Sequence, residues 1–274
     1  MTVLLRCPVR GCVENLNRGE SGWTCARRHS FDQHRFGFLN LLQPQDRRSK
    51  TPGDSLEAAR ARRQLARVGY ALEVYGALSH AVTARARGKA AALLDVGCGE
   101  GAFLRYLDGV PALELHGVDI SAPAIELAAR ASPRDFFVVA NADRFLPYAD
   151  QSFDFVTSID ARLNAAEIDR VLKKNGLVLV AVPGPADLVE LREKVQGGIV
   201  EKSRAPRVEE ELGKSFRLLA RSWATDRRTF DPPALRDLLT ATYRGFRKSE
   251  REAVAALDSM TVTHSHEILT FEKR

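Results

Sequence analysis

No run of this 274-residue chain is apolar for long enough to cross a bilayer, and the opening Met1-Thr-Val-Leu-Leu-Arg6 is too short for a signal peptide. A cytoplasmic protein is therefore expected, with no membrane partner. Cysteine is scarce, four residues in all, which argues against a disulfide-stapled scaffold. Internal repeats and low-complexity tails are also missing, so solenoid and array architectures fall away. What remains is an ordinary globular composition, 45% hydrophobic and 28% charged, with length for one full domain and a small appendage.

The formal net charge is +6, and basic residues outnumber acidic ones in the first fifty positions. Such a balance favours polyanionic partners, RNA among them, through phosphate contacts and counter-ion release. The same region holds three of the four cysteines. Cys7 and Cys12 are separated by four residues, twelve more lead to Cys25, and three more to His29. Three thiolates and one imidazole close a tetrahedral zinc shell with no open position, which marks a structural rather than a catalytic metal. Residues 1–40 are too few to build a core alone, so the metal is expected to supply much of that module's folding energy. His34, further along, is not expected to be a ligand. Arg18, Trp23, Arg27, Arg28, Arg35 and Phe36 interleave basic and aromatic side chains, a composition suited to an RNA surface. For Phe31, Phe36 and Phe38 the interior of the module is the preferred place.

Residues 41–88 read as a linker and a helical segment. Pro, Gly and charge fill positions 43–54, and Asp54 or Ser55 can cap a helix with Glu57 in its first turn. The helical pattern runs from about Ser55 to Thr83, with a break near Gly69. Arg60, Arg62, Arg63 and Arg67 make one side basic, either as a solvated face or as an RNA contact.

The main domain, 89–274, is organised around Asp95-Val-Gly-Cys-Gly-Glu-Gly101. The apolar run Ala91–Leu94 feeds this turn and a helical segment from Ala102 leaves it. Glycines there let the backbone approach a ligand, and the helix start offers free N–H groups. The spacing is G-x-G-x-G, so the G-x-G-x-x-G pattern of dinucleotide sites is not met. A second strand, Glu114–Val118, ends in Asp119, whose carboxylate can accept bonds from two ribose hydroxyls. A third, Phe136–Val139, leads into Asn141-Ala-Asp143, a place for a side chain facing an adenine. Further strands at Phe153–Ile159 and Leu177–Val182 flank a helix at Ala165–Lys174. The stretch 184–216 reads as helix, loop or lid, a helix starts at Asp231-Pro-Pro, and Thr261–Phe271 alternates like a closing strand. Strands alternating with helices indicate an α/β domain with a doubly wound parallel sheet, with its ligand beyond the strand carboxyl ends.

The turn, the acid after the second strand and the Ala-Asp after the third together resemble the S-adenosylmethionine (SAM) site of Rossmann-like methyltransferases. With the N-terminal module included, the whole chain resembles the large-subunit ribosomal RNA guanine-N1 methyltransferases. The likeness rests on Cys25-Ala-Arg-Arg-His-Ser-Phe-Asp32, Gly37–Leu42, Pro52-Gly-Asp-Ser55, Ala61-Arg-Arg63, the glycine turn, Gly117-Val-Asp-Ile-Ser121 and Pro183-Gly-Pro185. It implies a Rossmann-like SAM-dependent methyltransferase domain with a small zinc-binding N-terminal module that recognises a ribosomal RNA hairpin. Some members of that family confer macrolide resistance. Asp95, Gly97, Gly99, Glu100, Gly101, Asp119, Ile120, Ala142 and Asp143 are then the expected cofactor residues, and Cys7, Cys12, Cys25 and His29 the expected zinc ligands. A homodimer is compatible with the chain, though no motif specifies one.

Four positions depart from the family. Its Tyr-Ala-Pro triplet after the fourth strand is replaced by Asp160-Ala161-Arg162, and a histidine after the Pro-Gly-Pro turn by Asp187. A tyrosine near the end of the first helix corresponds to Ala71, with Tyr70 beside it. A Thr-Pro-aromatic stretch reads Thr242-Tyr-Arg-Gly-Phe246. Asp160 is placed to accept the guanine N1 proton, or else only caps the following turn. Arg162 could stabilise charge on the base oxygen, although a surface position is the preferred reading. Three functions stay open: a ribosomal RNA methyltransferase, a methyltransferase of a small molecule or natural product, and a catalytically silent RNA-binding relative.

Overall fold

The computed structural model describes residues 3–20, 22–47, 49, 51–196, 202–242 and 258–274, the side chains of 195 and 196 excepted. The amino-terminal module is a four-stranded antiparallel sheet in sequential order: β1 (Leu5–Arg6), β2 (Asn15–Arg18), β3 (Trp23–Thr24) and β4 (Ser30–Phe31). The next strand, β5 (Leu39–Asn40), belongs to the large sheet, so the last residues of the 1–40 segment are shared with the main domain. Two helices follow, α1 (Leu56–Arg67) and α2 (Leu72–Ala86). Ser55 caps α1, its hydroxyl accepting from the Ala58 N–H at 3.1 Å. The break expected near Gly69 is there: Gly69 (φ 81°) and Ala71 (φ 68°) both turn left-handed and separate the two helices.

The main domain continues with β6 (Ala91–Val96), α3 (Ala102–Tyr106), β7 (Leu113–Asp119), α4 (Ala122–Ala131), β8 (Phe136–Val139) and β9 (Phe153–Ile159). After these come α5 (Ala165–Val171), β10 (Leu172–Pro183), α6 (Val189–Gln196), α7 (Ala205–Leu212), β11 (Phe216–Phe230), α8 (Pro232–Thr242) and β12 (Met260–Lys273). The eight-stranded sheet has the order β11-β12-β10-β9-β6-β7-β8-β5. Strands β5 to β10 pair in parallel, whereas β12 runs antiparallel between β10 and β11. The sheet is thus mixed rather than wholly parallel. β11 was not foreseen because it is an edge strand with most side chains exposed, and a strand wet on both faces leaves no period-two pattern to read.

The central strands are buried on both faces, which is why they read as continuous apolar runs. Leu93 and Leu94 of β6 enter opposite cores: Leu94 joins Val118, Val138 and Val180, while Leu93 joins Phe103, Leu104 and Leu179. The module docks on the first of these cores. Leu5 bridges Tyr148, Arg6 N–H donates to the Pro147 carbonyl at 3.1 Å, and buried Asp46 pairs with Arg144 at 2.7 Å. Its aromatics face inward. The Trp23 ring meets Phe136 at 6.0 Å, Phe38 is buried, and His34 stacks on Phe38 at 4.3 Å.

Gly117 on β7 shows how tightly the sheet is packed under the glycine turn. A Cβ there would lie 2.8 Å from Cys98 Sγ and 2.8 Å from Phe137 Cδ1. Gly117→Ala is expected to destabilise the protein by about 1–3 kcal/mol through overpacking. A urea-unfolding midpoint equal to that of the unsubstituted protein would contradict this.

Candidate active site at the strand carboxyl ends

The turn after β6 carries three left-handed glycines, Gly97 (φ 75°), Gly99 (φ 56°) and Gly101 (φ 79°). Their surroundings differ. A Cβ on Gly97 would collide with Ala161 of the loop after β9, and one on Gly101 would press Ala128 of α4 at 3.0 Å. Gly99 has no protein atom within 4 Å of that position, so its backbone lies against open space. A ligand can approach there without meeting a side chain.

Asp119, at the end of β7, holds the turn in place. One carboxylate oxygen accepts from Gly99 N–H at 2.9 Å and the other from Ser121 N–H at 2.8 Å. Each keeps a further lone pair for a ligand hydroxyl. Burial raises the Asp119 carboxyl, and the two backbone donors oppose that rise. Beside it, Gly53 packs so closely on Ile120 and Ser121 that a Cβ would lie 2.8–2.9 Å from them, and Ser121 Oγ donates to the Asp54 carbonyl at 2.7 Å. The linker therefore closes over the β7–α4 turn.

The other expected cofactor residues occupy different layers. Asp95 lies buried below the turn, accepting from Thr157 Oγ1 at 2.8 Å, and burial pushes its carboxyl up to about 7. Buried Glu100 is tied to Arg105 at 2.8 Å, which anchors the start of α3. Ala142 packs partly buried beside the first core, and Asp143 faces Arg162 at 3.5 Å. Arg162 is thus a rim residue with its side chain 73% exposed, paired with Asp143 rather than with Asp160.

Asp160 ends β9 in a left-handed backbone conformation, φ 58°. Its carboxylate meets buried His266 of β12, with Nε2 at 2.9 and 3.1 Å from the two oxygens. Although burial would raise it, the charge and hydrogen bond of His266, with Arg62 further out, hold Asp160 below the usual carboxylate range. Asp187 approaches the far side of the same imidazole, and the Tyr70 ring covers His264 at 4.1 Å. The departures at 160 and 187 therefore meet in one place, and Tyr70, next to the departure at Ala71, borders it. The stretch 243–246 of the fourth departure lies outside the described residues. Sequence reading missed His264 and His266. Their signal was the i, i+2 spacing in Thr-His-Ser-His, which puts two titratable side chains on one face of a strand.

In the module, Cys7 Sγ and Cys25 Sγ each lie 3.4 Å from His29 Nδ1, and Cys12 Sγ lies 3.9 Å from Cys25 Sγ. A tetrahedral zinc with the usual Zn–S and Zn–N lengths has edges of about 3.4–3.8 Å, so the four atoms fit one ion. His34 stands apart, on Phe38.

Residues 94–180 match the methyltransferase domain family, and residues 5–50 match the RlmA N-terminal family, a zinc ribbon. The 23S rRNA (guanine(748)-N(1))-methyltransferase of Streptomyces fradiae is 32% identical over 218 residues, 77% of this chain and 75% of that one. A Micromonospora griseorubida protein assigned to the 23S rRNA (guanine-N(1)-)-methyltransferases is 32% identical over 230 residues, covering 77% and 76%. YxjB of Bacillus subtilis, assigned to the same group, is 32% identical over 195 residues, 69% and 68%. With relatives 32% identical over 69–77% of its length and both family models matched, the protein belongs to the 23S rRNA (guanine-N1) methyltransferase family of SAM-dependent enzymes.

Proposed function

We propose that this chain methylates N1 of a guanine in 23S ribosomal RNA, in the cytoplasm, on a hairpin held by the zinc ribbon. The observation that carries the reading is the placement of Asp160: an ionised carboxylate at the end of β9, with its neighbour Ala161 packed on Gly97 of the glycine turn. Bound SAM supplies an electrophilic methyl group. Asp119 would hold the ribose hydroxyls with its free lone pairs, the open backbone at Gly99 would receive the methionine end, and Ala142 and Asp143 would border the adenine. Gly97, Gly101, Glu100, Asp95 and Ile120 shape and anchor that cradle. Asp160 accepts the N1 proton, which N1 must lose as it is alkylated. Arg162, exposed on the rim and paired with Asp143 at 3.5 Å, is assigned no catalytic role.

On the ribbon, Arg18, Arg27, Arg28 and Arg35 are exposed while the aromatics are turned inward. Phosphate pairing by arginine, rather than base stacking on the ribbon, is the mode of RNA contact this favours. No described helix is long and apolar enough to cross a membrane.

Incubating the protein with methyl-labelled SAM and 23S RNA lacking the modification is expected to label guanine and to create a reverse-transcription stop, since an N1 methyl blocks base pairing. Label in small metabolites alone would sink the proposal. Asp160→Ala is expected to lower kcat by about 10²-fold or more, with S-adenosylhomocysteine affinity nearly unchanged. Asp119→Ala should do the reverse, weakening S-adenosylhomocysteine by roughly 10-fold or more through two lost ribose bonds. Calorimetry reads both.

Cys7, Cys12, Cys25 and His29 are proposed as the zinc ligands. Stripping the metal with a strong chelator is expected to unfold the ribbon and abolish RNA methylation while leaving S-adenosylhomocysteine binding largely in place. Full methylation by a verified metal-free protein would refute this assignment.

A further inference from the structure

The acceptor side of the cleft contains more charge chemistry than a lone base requires. Behind Asp160 stands His266, 2% exposed, and behind His266 stands Asp187, 6% exposed. Nε2 of the imidazole reaches both Asp160 oxygens at 2.9 and 3.1 Å, while Nδ1 lies 3.9 Å from Asp187 Oδ1. Nδ1 has no hydrogen-bond partner among the described residues, and Asp187 is its near acceptor. Asp187 itself is fixed, because Oδ1 accepts from Ser265 N–H at 2.9 Å. The strand frame is equally fixed: His266 pairs with Pro183 on β10 and Ala224 on β11. His264 lies on the same face, its ring 4.5 Å from that of His266, and Tyr70 closes the far side. Of the three aligned groups only Asp160 opens toward the cleft, with its side chain 40% exposed.

We infer that His266 and Asp187 are positioning residues, a buried imidazole and carboxylate that aim Asp160 at the acceptor base and keep it charged. This rests on the reading of Asp160 as the proton acceptor. In the transfer, the bond from methyl carbon to sulfur breaks and a carbon–N1 bond forms. The sulfur keeps the electron pair, and the N1 proton moves to Asp160 and then to solvent. Asp160 can act only if it is ionised and if one lone pair faces outward. A free rotamer at the mouth of a cleft guarantees neither. With both oxygens drawn onto Nε2–H, the carboxylate plane is set by the protein, and the remaining lone pairs are left for the substrate. Asp187 acts one step further back, on Nδ1, as the third member of a triad holds an imidazole in one orientation.

The charges around His266 can be named element by element. Asp160 ends β9, Asp187 follows β10, and His264 shares β12, with Arg192 on α6, Arg228 on β11 and Arg62 on α1 further out. Burial alone would lower the His266 imidazole, yet the two carboxylates hold it above its ordinary value. His264 is driven down to about 3 by burial and by its neighbour His266, with the Asp160 charge opposing only in part, and stays neutral. Of the pair, His266 is the ring held toward the charged form by its two carboxylates, and His264 is part of the wall.

The sign of the pH effect follows. Asp160 is held low by His266, so the acid limb of kcat in the unsubstituted enzyme lies at low pH. Removing the imidazole leaves a carboxylate whose surroundings raise it, and the acid limb moves upward.

The test combines kinetics with a titration that needs no turnover. His266→Asn is expected to reduce kcat by about 10-fold or more and to move its acid limb up by about 1–3 pH units, with KM for SAM little changed. Asp187→Asn should do the same more weakly. NMR of ring-labelled histidine should show one imidazole titrating above the ordinary histidine value, lost in His266→Asn and shifted down in Asp160→Asn. Circular dichroism and S-adenosylhomocysteine binding establish that each variant is folded, and Asp187→Asn stands in if His266→Asn is not. An imidazole indifferent to Asp160→Asn, or an acid limb unmoved in folded variants, overturns the inference while leaving the methyltransferase reading intact. An unsubstituted enzyme that labels no RNA, with the histidine–aspartate coupling present, counts against the methyltransferase reading instead.

Discussion

The glycine turn has its shape because a single carboxylate holds it. Three consecutive odd-numbered glycines, all at positive φ, form a segment with high conformational entropy and no side chains to pack. Asp119 compensates by accepting the Gly99 and Ser121 amides at once, joining the end of β6 to the start of α4 across β7. Charge-assisted hydrogen bonds of this kind are roughly twice as strong as neutral ones, and these two are partly buried. The cradle is therefore preorganised before a ligand arrives. Asp95 below, with its Thr157 bond, ties the same turn to β9, the strand that carries Asp160. Donor and acceptor sides of the site thus share one rigid floor.

The same sheet also anchors the zinc ribbon, which has little core of its own. The ribbon does not hang on a free linker. Leu5 lies against Tyr148, Asp46 is locked to Arg144, and β5 extends the large sheet beside β8. The following linker then crosses the β7–α4 turn at Gly53 and continues into α1, whose Arg62 pairs with Asp54 at 3.0 Å. Metal, linker and sheet form one mechanical path.

What could be read in the sequence divides along physical lines. The parallel strands are buried on both faces and read as unbroken apolar runs; the turn, Asp119 and the Cys/His set are short-range patterns whose chemistry is fixed by spacing. β11 and the histidines on β12 escaped for the opposite reason. An edge strand with wet faces carries no periodic signal, and the bond between Asp160 and His266 joins residues 106 positions apart. Glu100 was legible as part of the turn but not in its role, since its partner Arg105 lies one helical turn on and faces back. Spacing predicts which residues share a turn. It does not say which of them the protein consumes in its own interior.

The departures at 160 and 187 are best understood as one electrostatic event rather than two independent changes. A carboxylate at 160 on this floor, beside a second at 187, would face like-charge repulsion as well as partial desolvation. An imidazole placed between them as a donor to Asp160 offsets both costs, and it must come from a strand that reaches the gap; β12, paired with β10 at Pro183, is that strand. His264 then has to remain neutral, because a second cation on the same face would undo the balance, and burial against Tyr70 keeps it so. Each group makes sense only with the others present. Changing 160 alone would leave His266 buried without its closest counter-charge, and changing 266 alone would leave two acids facing each other. The site can therefore be exchanged as a set far more readily than residue by residue.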